Sequence, residues 1–386
     1  MLRRRTDQLG LLIAFLLGQL ITGGLFGLAQ GPIMSPDSYF FVGYADQLPT
    51  IDAAGWGYVG YVLLLRVGTM VGSAAWFAIA VQSGAVLVAG RALLSLGRRV
   101  RGEVAGWAAA LIYLLHPLVA QWTRYVLTES LFYAGVILST WCLVEAIDRR
   151  GPRWAPVWIV SIVTASLRPN GVVLLGSVVT LIMISLAPSW YRRILAILAV
   201  WLCVALAVFT IPLFGSGGGG DQNAFGPRAW SGEVVWGVSE VAMEMPEPKN
   251  YDPSNRAYLS YAVDHPVDLA RLAANRVWWE LKQVRPWYSV ELNLFITVTM
   301  TLTYALSVLG AWVTRRSVFS LVAIGVTLPF VGTIGATWAI WEGRFGWWFL
   351  VIWSVWAGVG VQLVIESANK WVLSGMSRWR IAGGSS

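Results

Sequence analysis

Cysteine and histidine are almost absent from this chain. The two cysteines, Cys142 and Cys203, both fall inside apolar runs, and the two histidines, His116 and His265, stand far apart. Neither a disulfide framework nor a cysteine/histidine metal site can be built from them. Charge is scarce as well: 12% of the 386 residues are charged against 57% hydrophobic, with a mean hydropathy of +0.63. That balance excludes a soluble domain of this size and points to a polytopic membrane protein. No stretch alternates as a barrel strand does. The apolar runs are roughly 17 to 25 residues long, the length an α-helix needs to cross a ~30 Å hydrocarbon core.

Lysine is nearly missing too, with only Lys249, Lys282 and Lys370, so arginine carries the net charge of +8. Most of these arginines close hydrophobic spans on one side, which makes the charge a topology signal rather than a nucleic-acid footprint. Ten spans are expected, at about 9–29, 74–96, 104–121, 126–147, 155–168, 171–187, 192–214, 293–313, 317–340 and 345–367. The first run continues to about Ala29 without a small-residue cleavage site, which predicts a retained span rather than a signal peptide. With the N-terminus in the cytoplasm, Arg3–Arg5, Arg98, Arg99, Arg101, Arg149, Arg150, Arg153, Arg192, Arg193, Arg315, Arg316, Lys370, Arg378 and Arg380 all fall at inside turns. Both termini are then cytoplasmic in a plasma (inner) membrane. Residues 1–368 form one transmembrane domain with outer loops 30–73 and 215–292, and 369–386 form a cytoplasmic tail.

Two pieces of the outer loops are expected to lie along the membrane surface. Trp56 to Gly72 is apolar, shorter than a span and carries Arg66, so it should lie at the interface or re-enter. Asp264 to Arg285 reads as an amphipathic helix with Val267, Ala270, Ala274, Val277, Trp278, Leu281 and Val284 on one stripe. Arg271, Lys282 and Arg285 would face the headgroups. Neither an internal repeat nor a soluble domain is visible.

Ionisable residues gather on the outer side. They are Asp37 and Asp46 in Ser35–Pro49, Arg124 and Glu129 at the start of the fourth span, Arg168 in SLRPNG, and Glu342 with Arg344 in WEGRFGWWF. A charge at the edge of a bilayer is costly unless paired or hydrated, and its presence favours a functional site. Each has a plainer reading. Asp37 could serve the start of an interfacial helix, Asp46 could be a solvated carboxylate, and Arg66, Arg124 and Arg168 could anchor to headgroups. Glu342 and Arg344 could form a surface pair.

In these residues the chain resembles the integral-membrane GT-C glycosyltransferases, in particular bacterial relatives of the protein O-mannosyltransferases and of the lipid A aminoarabinose transferase. Their first outer loop carries an acidic motif D-[ES]-x-x-Y-x-x-x-A; here Asp37, Ser38 and Ala45 match it, and Phe41 stands at the Tyr position. TESLF at 128–132, the RPNG turn, Tyr258 to Pro266 and the late GRF follow in family order. The large soluble domain of some relatives has no counterpart. The resemblance implies a GT-C fold and inverting transfer from a polyprenyl-phosphate sugar at the outer (periplasmic) face to a glycan, lipid or protein hydroxyl. Asp37 would be the base. Arg168, Arg344 and Arg66 would hold the donor phosphate, and Arg124 paired with Glu129, together with Asp46, would shape the pocket or orient the acceptor. A divalent metal held through Asp37 is left open, and no other cofactor is expected. The competing class is a transporter or flippase of lipid-linked envelope precursors, which would place its ionisable groups near the bilayer midplane and show a duplicated half.

Overall fold

Residues 2–26, 31–48, 50, 53–148, 154–186, 189–190, 194, 198, 201, 225–248, 255–340 and 342–382 are described by the computed structural model, and they contain helices and isolated bridges but no strand. In chain order the helices are α1 (Leu2–Phe26), α2 (Pro36–Gln47), α3 (Ala53–Trp56), α4 (Val59–Met70), α5 (Ala74–Val100), α6 (Glu103–Leu115), α7 (Pro117–Ala120), α8 (Glu129–Asp148), α9 (Trp154–Ala165) and α10 (Gly171–Leu186). They continue as α11 (Phe225–Trp230), α12 (Asn255–Asp264), α13 (Pro266–Lys282), α14 (Val290–Thr314), α15 (Val318–Ala336) and α16 (Trp347–Ala382). Serine decides several starting points. Ser35, Ser73, Ser289 and Ser317 precede α2, α5, α14 and α15, and each hydroxyl accepts from a first-turn N–H that has no partner inside the helix.

The chain is an all-helical polytopic membrane protein. Stretches of α1, α5, α8, α14, α15 and α16 are each long and apolar enough to cross a membrane. The expected span 104–121 is broken: α6 stops at Leu115, and the helical segment Pro117–Thr123 leaves at 57° to it. Pro117 has no N–H to donate back into α6, so the helix cannot run through it. At 12 and 16 residues, α9 and α10 are about 18 and 24 Å long, less than a ~30 Å core. Span 317–340 ends early at Ala336, because Ala339 donates its N–H to the Val234 carbonyl and accepts from Trp236 instead of continuing the helix. Conversely, α16 runs on through the expected tail to Ala382. Apart from Ile194, Leu198 and Trp201, span 192–214 and the glycine-rich stretch after it lie outside the described residues.

The core is aliphatic and aromatic. α16 packs on α6, α8 and α14, α5 on α6 and α8, and α8 on α9. Phe132, Phe330 and Trp348 meet edge to face or tilted at 5.5 to 6.1 Å, tying α8, α15 and α16 together. Where α5 meets α6, a Cβ on Gly97 would fall 2.6 Å from the Gly106 Cα, so only glycine permits this approach.

Charge is sorted to the two ends of the bundle. At one end Arg98 holds Asp7 and Glu103, Arg99 holds Glu145 and Asp148, and Arg101 holds Glu366. These are the ends of α5 and α8, the starts of α1 and α6, and the middle of α16. The opposite end of α8 and the residues just before α16 carry a second set of charges, Glu129, Glu342 and Arg344.

The amphipathic helix forms as α13, with Pro266 in its first turn, but one of its faces is packed on protein. Leu272, Arg276 and Glu280 are buried, Val267 and Trp278 are exposed, and Arg285 just beyond it is fully buried instead of facing headgroups. The reason lies in what α13 covers. Its inner face meets irregular backbone whose polar groups need partners. Arg276 donates to the carbonyls of Arg228, Glu233, Gly335 and Ala336, and Arg285 to those of Trp279, Val284 and Ile340.

Candidate functional site

Three connections bring distant segments to one place. After α1 the chain runs beside the stretch before α8, with Ile33 N–H donating to Arg124 O at 2.8 Å and Val126 N–H to Ile33 O at 3.0 Å. The start of α4 meets the end of α9 through Gly60 N–H to Ser166 O at 2.9 Å. Residues 340 and 342–346, before α16, are clamped from α13 and its end: Glu280 accepts from Ile340 N–H and Gly346 N–H at 3.0 and 2.7 Å, and Gln283 Nε2 donates to Gly343 O at 2.8 Å. Tyr133 of α8 adds a hydrogen bond from its hydroxyl to Arg344 O at 2.7 Å. Gly343 sits at φ +68°, where a side chain is strained, and this turn aims Glu342 and Arg344 toward α2 and α8.

These connections assemble a carboxylate–guanidinium cluster. Glu129 Oε1 lies 2.6 Å from Arg168 Nη1 and 3.1 Å from Arg344 Nη1. Arg344 Nη2 donates to Asp37 Oδ2 at 3.2 Å, and Arg344 Nε lies 3.2 Å from Glu342 Oε2 without hydrogen-bond alignment. Every nitrogen of the Arg344 guanidinium therefore faces a carboxylate. Burial is uneven: the side chains are 2% exposed for Glu129, 7% for Arg168 and 12% for Arg344, but 54% for Asp37. The aromatic rings of Phe345 and Trp348 face the Arg168 guanidinium at 5.4 and 5.5 Å, and Trp122 faces that of Arg344 at 5.8 Å.

The electrostatics follow from that burial. Burial alone would lower the Arg344 pKa, but Glu129, Glu342 and Asp37 more than offset it and hold the group above its ordinary value. Burial pushes the Glu342 carboxyl up to about 7. Arg344 opposes this shift, and the charges of Glu129 and Asp37 add to it. Tyr58, between α3 and α4, is likewise raised by burial while standing in the field of Arg168, Glu129, Asp37 and Arg344. Glu280, inside the clamp, is raised by burial despite Arg285 and its backbone donors.

Four of the seven candidate residues thus meet: Asp37, Glu129, Arg168 and Arg344. The pairing of Arg124 with Glu129 does not form. Arg124 donates to Gln19 Oε1 and Gln19 O on α1, while Glu129 is taken by two arginines that reach it from other helices. Arg66 and Asp46 also stand apart from the cluster, as a mutual 3.8 Å pair between α4 and α2, both side chains well exposed. Asp46 is nine residues beyond Asp37, about 14 Å along the helix. Asp37 does not cap its helix: Ser35 and Ser38 form the capping box, and Asp37 occupies the first turn with its carboxylate on Arg344. The Glu342–Arg344 pair is largely buried rather than a surface pair. Sequence reasoning gathered Glu342 with the outer-face charges but gave it no role, and it missed Tyr133 and Glu280 as supports of the site. The signal for Glu342 was its place two residues before Arg344 in an apolar stretch.

Among the described residues no group of three carboxylate, imidazole or thiolate side chains is arranged to hold a metal. Compared with known proteins, the chain matches no family model and no curated sequence.

Proposed function

We propose that this cluster is the active site of a glycosyltransferase that moves a sugar from a polyprenyl-phosphate donor to an acceptor hydroxyl. The observation that carries the reading is a half-exposed carboxylate, Asp37, on the largely buried Arg344, which shares Glu129 with the buried Arg168, at the end of a membrane bundle. A lipid phosphodiester entering from the bilayer meets fixed cations there, and a planar guanidinium can bind two of its oxygens. In the transfer, the acceptor oxygen bonds the anomeric carbon from the face opposite the phosphate, and the proton of the hydroxyl goes to Asp37. The carbon–oxygen bond to the phosphate breaks, its electron pair leaves on the phosphate, and the configuration inverts. Glu129 holds both arginines in place and Glu342 lies against Nε of Arg344.

The fold we infer is of the GT-C type with ten crossings. It counts the bent α6–α7 pair as one crossing, α9 and α10 as short crossings joined at Arg168, and 192–214 as another. The end bearing Arg98, Arg99 and Arg101 is cytoplasmic by the positive-inside rule, which puts the cluster at the outer face of the plasma membrane. Among the described residues, the 57° break at Pro117 favours a transporter or flippase, since broken spans line translocation paths. The site test is donor binding. Arg168→Ala and Arg344→Ala are expected to weaken retention of a prenyl-phosphate sugar at least tenfold, and unchanged affinity in both would remove the phosphate assignment.

A further inference from the structure

The cluster contains a competition that bears on when Asp37 is free to act. All three nitrogens of the Arg344 guanidinium are directed at carboxylates: Nη1 at Glu129, Nη2 at Asp37 and Nε at Glu342. A phosphate cannot reach this cation without replacing one of them. Glu129 cannot leave, because it is almost wholly buried, is also held by Arg168 at 2.6 Å, and would become an unpaired charge in the interior. Glu342 is three-quarters buried on a loop clamped by Glu280 and Gln283. Asp37 is half exposed and holds Arg344 through one hydrogen bond at 3.2 Å. It is the only one of the three that can swing into solvent.

Its backbone need not move when it does. The capping box of Ser35 and Ser38 fixes the start of α2 without Asp37, and Phe41 of α2 is packed on Tyr58 and Tyr61 at 4.8 and 5.4 Å. A rotation of the Asp37 side chain alone exchanges one anion for another on Nη2.

We infer that Asp37 and the phosphate of an incoming lipid compete for Arg344, so that binding of the phosphate-bearing ligand is what releases Asp37 as a free carboxylate. This rests on the reading of Asp37 as base and of the arginines as phosphate ligands, and adds an order to it. Before the donor arrives, Asp37 is neutralised in an ion pair. Once the donor is seated, the base is unpaired and open to solvent. A phosphodiester replacing Asp37 on Arg344 also leaves the charge around that guanidinium unchanged, which suits a monoanionic lipid phosphate.

The test is equilibrium binding of farnesyl phosphate to the full-length protein in detergent micelles, for wild type, Asp37→Asn, Asp37→Glu and Arg344→Ala. Asp268→Asn serves as a charge control, because it breaks an exposed pair with Arg271 on α13. Removing the competitor is expected to tighten binding by roughly two- to fivefold in Asp37→Asn, the range set by a partly exposed ion pair. Asp37→Glu should bind as wild type does, Asp268→Asn should change nothing, and Arg344→Ala should lose binding. Unchanged or weaker binding by Asp37→Asn overturns the competition while leaving the phosphate site standing. Equal tightening in Asp268→Asn reduces the effect to net charge and overturns it as well. Failure of the wild type to bind the probe overturns both the competition and the donor reading.

Discussion

Glu129 is expected to be the most costly side chain of the cluster to remove, and the reason is Arg168. In Glu129→Leu, Arg344 keeps Asp37 and Glu342, but the carboxylate 2.6 Å from Arg168 Nη1 is gone. Arg168 is 7% exposed and is left with the rings of Phe345 and Trp348, which cannot replace an ion pair in the interior. Breaking a buried pair by removing one partner costs about 3–5 kcal/mol, whereas removing both partners together costs far less, because no uncompensated charge remains. Glu129→Leu and Arg168→Met are therefore expected each to lose about 3 kcal/mol or more, and the double variant to lose less than the worse single one. Chaotrope unfolding in micelles, followed by tryptophan fluorescence, reads this directly. Single losses below about 1 kcal/mol, the level of an exposed pair, or additive losses in the double variant, would refute the picture of a buried, mutually dependent pair.

Other expectations follow from neighbouring residues. Glu342 has its carboxyl raised from 4.5 to about 7, so the fold favours its protonated form. The associated stability, at most about 3 kcal/mol, is fully present below pH 4.5 and is lost as pH rises through about 7. Stability profiles of wild type and Glu342→Gln should show this decline in the wild type and a flatter course in the variant; parallel profiles would place Glu342 in solvent. Gly343→Ala forces a side chain onto a φ of +68° and brings a Cβ within 2.5 Å of Gln283 Oε1, so it should cost about 1–2 kcal/mol. By moving Arg344 it should also weaken lipid-phosphate binding, and a variant with wild-type affinity would show that the loop does not need this turn. Asp37→Asn should leave unfolding within about 1 kcal/mol of wild type, since its pair is half exposed and Ser35 and Ser38 cap α2 without it. A membrane-impermeant label is expected to reach a cysteine placed at Glu240 from outside the cell and one placed at Arg101 only after permeabilisation. The reverse pattern would turn the bundle over.

How much of this was legible in the chain depended on the range of the signal. Apolar length and the grouping of arginines at alternate span ends are local, and they gave the helical class and the sorting of charge that Arg98, Arg99 and Arg101 display against Asp7, Glu145 and Glu366. Pro117 was in view as well, yet a run of apolar residues on either side of it reads as one span because hydropathy does not register a 57° bend. Asp37, Arg168 and Arg344 could be singled out one at a time, as charges too costly to leave at a bilayer edge without a partner. Which of them pair could not. Glu129 meets Arg168 from 39 residues away, and Arg344 meets Asp37 from 307 residues away, through helix packing that no spacing rule encodes. Helical periodicity also misassigned Arg285, just beyond α13, and did not foresee the packed face of that helix. The pattern separates apolar from polar residues, whereas the packed face holds Arg276 and Glu280 because it must satisfy the backbone of Gly335, Ala336, Ile340 and Gly346.

The most direct test of the site as a whole is native mass spectrometry of the purified protein and of Asp37→Asn after incubation with a panel of prenyl-phosphate sugars, followed by addition of acceptor mixtures from the cell envelope. Both proteins are expected to retain the same sugar lipid, and only the wild type to release it as bare prenyl phosphate when acceptor is present. Retention of no sugar lipid by either protein, or equal turnover by Asp37→Asn, would contradict transfer at this cluster.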